Sequence, residues 1–137
     1  MSSQRFSYTP HPQFPVGIPL VNIQLSHNAT TLTVPAVVDS GAALNILPYD
    51  IGLSLKLDWD HQTYALDLGG ILTGTQAYAV LLQAEIEPFP PFKLAFAWIN
   101  KPSTEVRALL GQVNFFQEFD VHFYGNQSAF EIGLKTG

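Results

Sequence analysis

The 137-residue sequence contains no cysteine, which excludes disulfides, thiolate nucleophiles and Cys-ligated zinc or iron–sulfur sites. Charge is scarce too: Asp, Glu, Lys and Arg make up 12% of the chain against 47% hydrophobic residues. So low a charge density leaves apolar surface to be hidden, and association with a second copy is the simplest way to hide it. Positive charge is scarcest, with six Lys and Arg against eleven Asp and Glu and a net charge of −5. Nothing is basic enough to follow a phosphate backbone, so nucleic acid is excluded as a partner. The four histidines, His11, His27, His61 and His122, lack the i, i+4 spacing that turns two imidazoles toward one metal, and they read as surface or structural residues. No segment reaches the length that spans a bilayer. The first 19 residues lack the basic and apolar regions of a signal peptide, so the expectation is a cytoplasmic protein with no membrane partner. Asn28-Ala29-Thr30 and Asn126-Gln127-Ser128 fit the glycosylation pattern but read as turn residues.

The length suits one compact domain. Residues 1–19, with prolines at 10, 12, 15 and 19, read as a proline-rich arm, and residues 20–137 as the domain. Val21, Ile23 and Leu25 alternate with polar residues, His27 to Thr30 supplies turn chemistry, and Leu32 and Val34 resume the alternation, which predicts a β-hairpin. Its second strand runs through Val37 and Val38 into Asp39-Ser40-Gly41-Ala42. Residues 43–57 read as irregular structure with short strands. Residues 64–68 and 75–87 flank Gly69, Gly70 and Gly74, as in a long projecting hairpin whose tip needs positive φ. Phe92 to Ile99 reads as an apolar strand, Arg107 to Leu110 as a short buried one, and Asp120 to Ile132 as two strands joined at Gly125-Asn126. Only residues 112–119, with Val113, Phe116 and Phe119 at three-residue spacing, read as helical.

The stretch from Val37 to Ala42 carries the chemistry: an apolar strand delivers a carboxylate, followed by a hydroxyl and a glycine. In a water-activating pair of aspartates the two carboxyls lie too close for both to ionise, and they share one proton. One takes a proton from water while the other polarises the scissile carbonyl. Gly41 allows a tight turn that directs its amide at the carboxylate, and the Ser40 hydroxyl can tie the loop to a partner loop. Neither a metal nor another cofactor is needed. A second motif, Ala108-Leu109-Leu110-Gly111, stands between a strand and a helix, where a glycine lets the chain pack tightly beneath the Asp39 loop.

An apolar-Asp-Ser-Gly-Ala motif, a central glycine-bearing hairpin and a Leu-Leu-Gly junction together resemble the retroviral (retropepsin-like) aspartic protease family and its bacterial relatives, over residues 21–132. The resemblance implies a mostly β fold, a closed β-barrel subunit with one short C-terminal helix that works as a homodimer on peptide or protein substrates. It implies Asp39 as the catalytic residue, Ser40, Gly41 and Ala42 as its loop, Gly69 and Gly70 as flap glycines, and Leu110 and Gly111 as structural support. One departure is visible. Retroviral enzymes brace the dimer with an acidic residue after the Ala and an arginine after the later glycine; Ala43 and Gln112 stand there, so both partners of the ion pair are missing together.

Two-lobed relatives of pepsin carry two Asp-(Ser/Thr)-Gly motifs in one chain, and this chain has one. Asp67-Leu68-Gly69 lacks the hydroxyl. The second carboxyl must come from another copy across an isologous interface. The family interleaves its chain termini there, which makes Phe6, Tyr8, Phe130 and Ile132 candidates for the interface or, for the last two, plain core. The alternative function is a retropepsin-like dimerisation or peptide-binding module with little proteolysis. A serine hydrolase is excluded because Ser40 lies in no Gly-x-Ser-x-Gly elbow.

Overall fold

A computed structural model describes residues 3–135. The N-terminal segment read as an arm is largely strand: β1 (Gln4–Ser7), then a small hairpin of β2 (Thr9–His11) and β3 (Phe14–Ile18). The expected hairpin follows as β4 (Leu20–His27) and β5 (Thr30–Val38), turning at Asn28 with φ +53°. Next come β6 (Asn45–Leu47), α1 (Tyr49–Ser54), β7 (Ala65–Leu66), β8 (Ala77–Glu85), β9 (Phe92–Ile99) and β10 (Ala108–Leu110). The chain ends with α2 (Phe115–Glu118), β11 (Phe119–Tyr124) and β12 (Ala129–Leu134).

One sheet runs β4-β5-β10-β6-β9-β8-β7, and a further pairing of β4 with β8, Leu25 opposite Ala84, closes six of its strands into a barrel. The barrel's centre is filled by the alternate residues that the sequence pattern marks. Ile23, Leu25, Ala36, Leu94 and Trp98 are fully excluded from solvent, and Val21, Val34 and Val38 nearly so. Closure removes the exposed strand edges that an open sheet of this composition would present. A three-stranded sheet, β1-β12-β11, lies apart. Phe6 of β1 stacks on Phe130 of β12 at 5.3 Å, and Phe130 and Ile132 are fully buried in the chain's own core. The single aromatic ring of the C-terminal strand therefore serves packing within the chain.

Two helical expectations need correction. Among the described residues the fold has two α-helices rather than one C-terminal helix, because residues 49–54 form α1. A glycine in mid-helix hides that element from propensity. Gly52 is there because the Trp98 indole occupies the space of its side chain, with a Cβ falling 2.1 Å from Nε1. The second correction concerns α2, which spans only Phe115–Glu118 and buries Phe115; Phe119 begins β11, and Val113, ahead of the helix, stays 45% exposed. The expected Val113–Phe116–Phe119 face is not a helical one, because only Phe116 of the three lies in the helix. Among the described residues no helix is long and apolar enough to cross a membrane.

Candidate active site

The position of Asp39 is set by two parallel strands. β5 and β10 lie side by side with Val38 opposite Leu110, and the ladder runs one residue further, the Asp39 N–H donating to the Leu110 carbonyl at 2.9 Å. Beyond that point the chain turns back on itself. The Gly41 N–H donates to Asp39 Oδ1 at 2.9 Å, and the Ala42 N–H donates to the Asp39 carbonyl at 3.1 Å. A backbone donor at the carboxylate favours a single orientation of that group. Asp39 is half-buried and Ser40 and Gly41 are exposed, so the carboxyl is accessible while its backbone is held.

The chain after β10 clamps this loop from beneath. Gln112 and Val113 donate their N–H groups to the carbonyls of Ala42 and Ala43, both at 2.9 Å, and Gln112 Nε2 reaches the Ser40 carbonyl at 2.7 Å. The Gln112 side chain thus ties the loop to the segment after β10. Gly111 lies so close that a Cβ there would meet the Ala42 and Leu44 carbonyl oxygens at 2.6 and 2.7 Å.

Sequence reading missed Asn45, the fully buried polar residue that locks this junction. Its Oδ1 accepts the Gly111 N–H at 2.7 Å, and its Nδ2 donates to the Ala95 carbonyl at 2.9 Å and to Asn114 Oδ1 at 3.3 Å. Asn114 Oδ1 also accepts the Ala95 N–H at 3.1 Å. The available signal was an asparagine inside the apolar run from Leu44 to Leu47, because a polar side chain buried there must find partners.

Asp39 opens onto a cleft of about 760 Å³. Its floor is Ala42 to Leu44 with Ile46, one wall is the residue 105–109 segment, and the opposite wall is the β7–β8 hairpin through Asp67 to Gly70 and Leu72. Gly69 and Gly70, some thirty residues along the chain, are thereby brought to the same cleft as the Asp39 loop. Gly70 and Gly74 adopt positive φ, +64° and +84°, but Gly69 is extended and needs no glycine for its backbone. A separate apolar cluster of Ile46, Ala77, Ala97 and Ile99 underlies this wall, with Leu66, Leu68 and Leu72 resting on it.

The segment 105–109 is held from behind by Asp50, which accepts from the N–H of Ser103 at 2.7 Å and from its hydroxyl. Partial burial pushes the Asp50 carboxyl up, but the Ser103 hydroxyl and N–H, with the N–H groups of Asp50 and Ile51, outweigh it and hold the group below its ordinary value. A second cavity of about 440 Å³ lies on the other side of Asp39, lined by Ser40, Val37, Phe123 and the β2–β3 hairpin residues His11 and Phe14. Arg107 borders both cavities.

No protein-family model matches the chain, and a search of curated proteins finds no match either. Among solved structures the chain is similar to the crystal structure of a retropepsin-like aspartic protease from Rickettsia conorii, with a TM-score of 0.72 at 15% identity, covering 96% of this chain and 89% of that one. At that identity the similarity shows the fold, a retropepsin-like barrel.

Proposed function

We propose that the chain is an aspartic endopeptidase assembled from two copies, each contributing Asp39 to one water-activating pair. The observation that carries this reading is the Asp39 carboxyl itself: half-buried, oriented by the Gly41 N–H, and lining a cleft that the β7–β8 hairpin also borders. A retropepsin-like fold supports it. In this reading a peptide lies extended in the cleft with its scissile carbonyl over the paired carboxyls. One carboxylate accepts a proton from water as the oxygen attacks the carbonyl carbon, and the protonated partner donates to the carbonyl oxygen. Collapse of the tetrahedral intermediate breaks the C–N bond, and the leaving nitrogen takes up a proton from the pair. Gly69 and Gly70 stand where the hairpin can close over the peptide. Ser40, Ala42, Leu110 and Gly111 hold Asp39 in place and touch no reacting atom.

The test is cleavage of a mixed peptide library by the purified chain at several pH values, with and without a statine-type transition-state mimic. Cleavage that the mimic blocks is expected, and Asp39→Asn should lower kcat/KM by about 10²–10⁴-fold or more while the subunit stays folded by circular dichroism. Substantial activity in that variant would remove Asp39 from the chemistry. Binding of the mimic without cleavage by the unaltered chain would favour a peptide-binding module instead.

A further inference from the structure

The three-stranded sheet β1-β12-β11 ends in β11, an edge that pairs with no further strand among the described residues. The Lys135 N–H donates to the Glu118 carbonyl at 3.2 Å, and Phe119 lies opposite Leu134, so the Glu118–Lys135 pair is a hydrogen-bonded one. Antiparallel ladders alternate, which makes Asp120, His122 and Tyr124 the residues that bond β12 and leaves Val121 and Phe123 presenting N–H and C=O outward. An edge of this kind is a template for another strand. Phe123 adds a second sign. It belongs to the core-facing set with Phe119 and Val121, yet it is 39% exposed and lines the cavity that contains Asp39 and Ser40. The apolar face of the sheet runs out past its own subunit at that point.

We propose that two copies join here, β11 against β11 in antiparallel register, so that two complete three-stranded sheets fuse into one six-stranded sheet across the twofold axis. The proposal rests on the two-copy reading of the active site, which needs a twofold axis near Asp39, and it specifies how the copies meet. Interleaving of the termini is not required, because β1 and β12 already pair with each other inside one chain, Phe6 opposite Phe130. The register follows from burial. Pairing Val121 with Phe123 of the second copy covers the exposed ring, whereas pairing Val121 with itself would set Phe123 against Phe119, which is already fully buried. With Val121 opposite Phe123, His122 faces its own symmetry mate in a non-hydrogen-bonded pair, where Cα atoms lie about 4.5 Å apart.

Because the chain has no cysteine, single cysteines report this geometry without background. His122→Cys is expected to form a disulfide-linked dimer on mild oxidation, the spacing being within disulfide reach. Asp120→Cys, whose mates would be about 13 Å apart at four residues' offset, is expected not to. The linked His122→Cys dimer should keep the peptidase activity of the unaltered chain. Activity and a dimer in the unaltered chain, with no His122→Cys link or with an Asp120→Cys link instead, would overturn the strand pairing and leave the peptidase reading standing. A monomeric, inactive unaltered chain that gives no link at either position would overturn both.

Discussion

Gly111 is the residue at which the site is least tolerant. The two atoms that a Cβ would strike are backbone carbonyl oxygens of Ala42 and Leu44, which cannot rotate away as a side chain could, so Gly111→Ala must displace the loop that carries Asp39. Overpacking of this kind costs about 1–3 kcal/mol. Asn45→Ala acts on the same junction from the opposite direction, leaving the Gly111 N–H without its acceptor at a cost of about 1–3 kcal/mol. Both variants are expected to lower the denaturant midpoint with little change in slope. Since they perturb one hydrogen bond, the double variant should lose less than the sum of the two, by at least about 0.5 kcal/mol. Strict additivity in that cycle would show that Asn45 and Gly111 are energetically separate and that the junction is not the unit described. Gln112 is a milder case: its side chain supplies one bond to the Ser40 carbonyl while its backbone supplies another to Ala42, and only the first is lost on substitution.

Among the elements of the barrel sheet, β7 and the tip of the β7–β8 hairpin are lightly held. β7 pairs with β8 at Ala65 and Leu66, with one more bond from the Ala79 N–H to the Tyr64 carbonyl, whereas β8 and β9 are paired from Ala77 to Ala84. The tip is kept in place by Leu66, Leu68 and Leu72 lying on the cluster around Ile46 and Ile99 rather than by a ladder. Amides of residues 67–74 are therefore expected to exchange with solvent much faster than those of β8 and β9, and to gain protection when a transition-state mimic fills the cleft. Exchange as slow as in β8, unchanged by the mimic, would mean that the hairpin is a fixed wall and not a flap. This element also shows what the sequence could convey. Two strands separated by a glycine-rich tip were legible from composition, but the extended backbone of Gly69 was not, because glycine reports permission and not use. β4 and β5 were legible because one face of each is buried and period-2 alternation survives. The second half of β9 loses that alternation: Phe96 and Trp98 face the barrel interior, Ala97 and Ile99 face the cluster beneath the hairpin, and all four are buried. Helix α1 stayed hidden for the reason already given at Gly52. Asp39 stood out because a carboxylate at the end of an apolar strand needs an explanation. Asn45 did not, since its partners lie 50, 66 and 69 residues away and no local pattern announces them.

At the scale of the whole molecule, some of the apolar residues left outside gather near Asp39. Phe14 and Val16 on the β2–β3 hairpin are 50% and 55% exposed, and Phe14 lines the same cavity as Phe123, Asp39 and Ser40. A chain with 12% charged residues has few means of keeping such a surface soluble except by covering it. Covering it with a second copy, as proposed, would make assembly and catalysis concentration-linked, because each monomer would hold half of the carboxyl pair. Ala43 and Gln112 offer the proposed dimer no ion pair, and the Gln112 side chain is engaged with the Ser40 carbonyl, so the proposed assembly would rest on apolar burial and strand pairing. Apolar association weakens on cooling, and it responds less to salt than an ion-paired interface does. Specific activity is therefore expected to fall on dilution along the curve for a monomer–dimer equilibrium. The midpoint concentration should rise as temperature is lowered from 25 °C to 5 °C and change little between 50 mM and 500 mM sodium chloride. Sedimentation equilibrium on the same samples should give the same dissociation constant. Specific activity independent of dilution in samples that sediment as monomers would show that one chain suffices for catalysis, and the second carboxyl would then have to be sought within it.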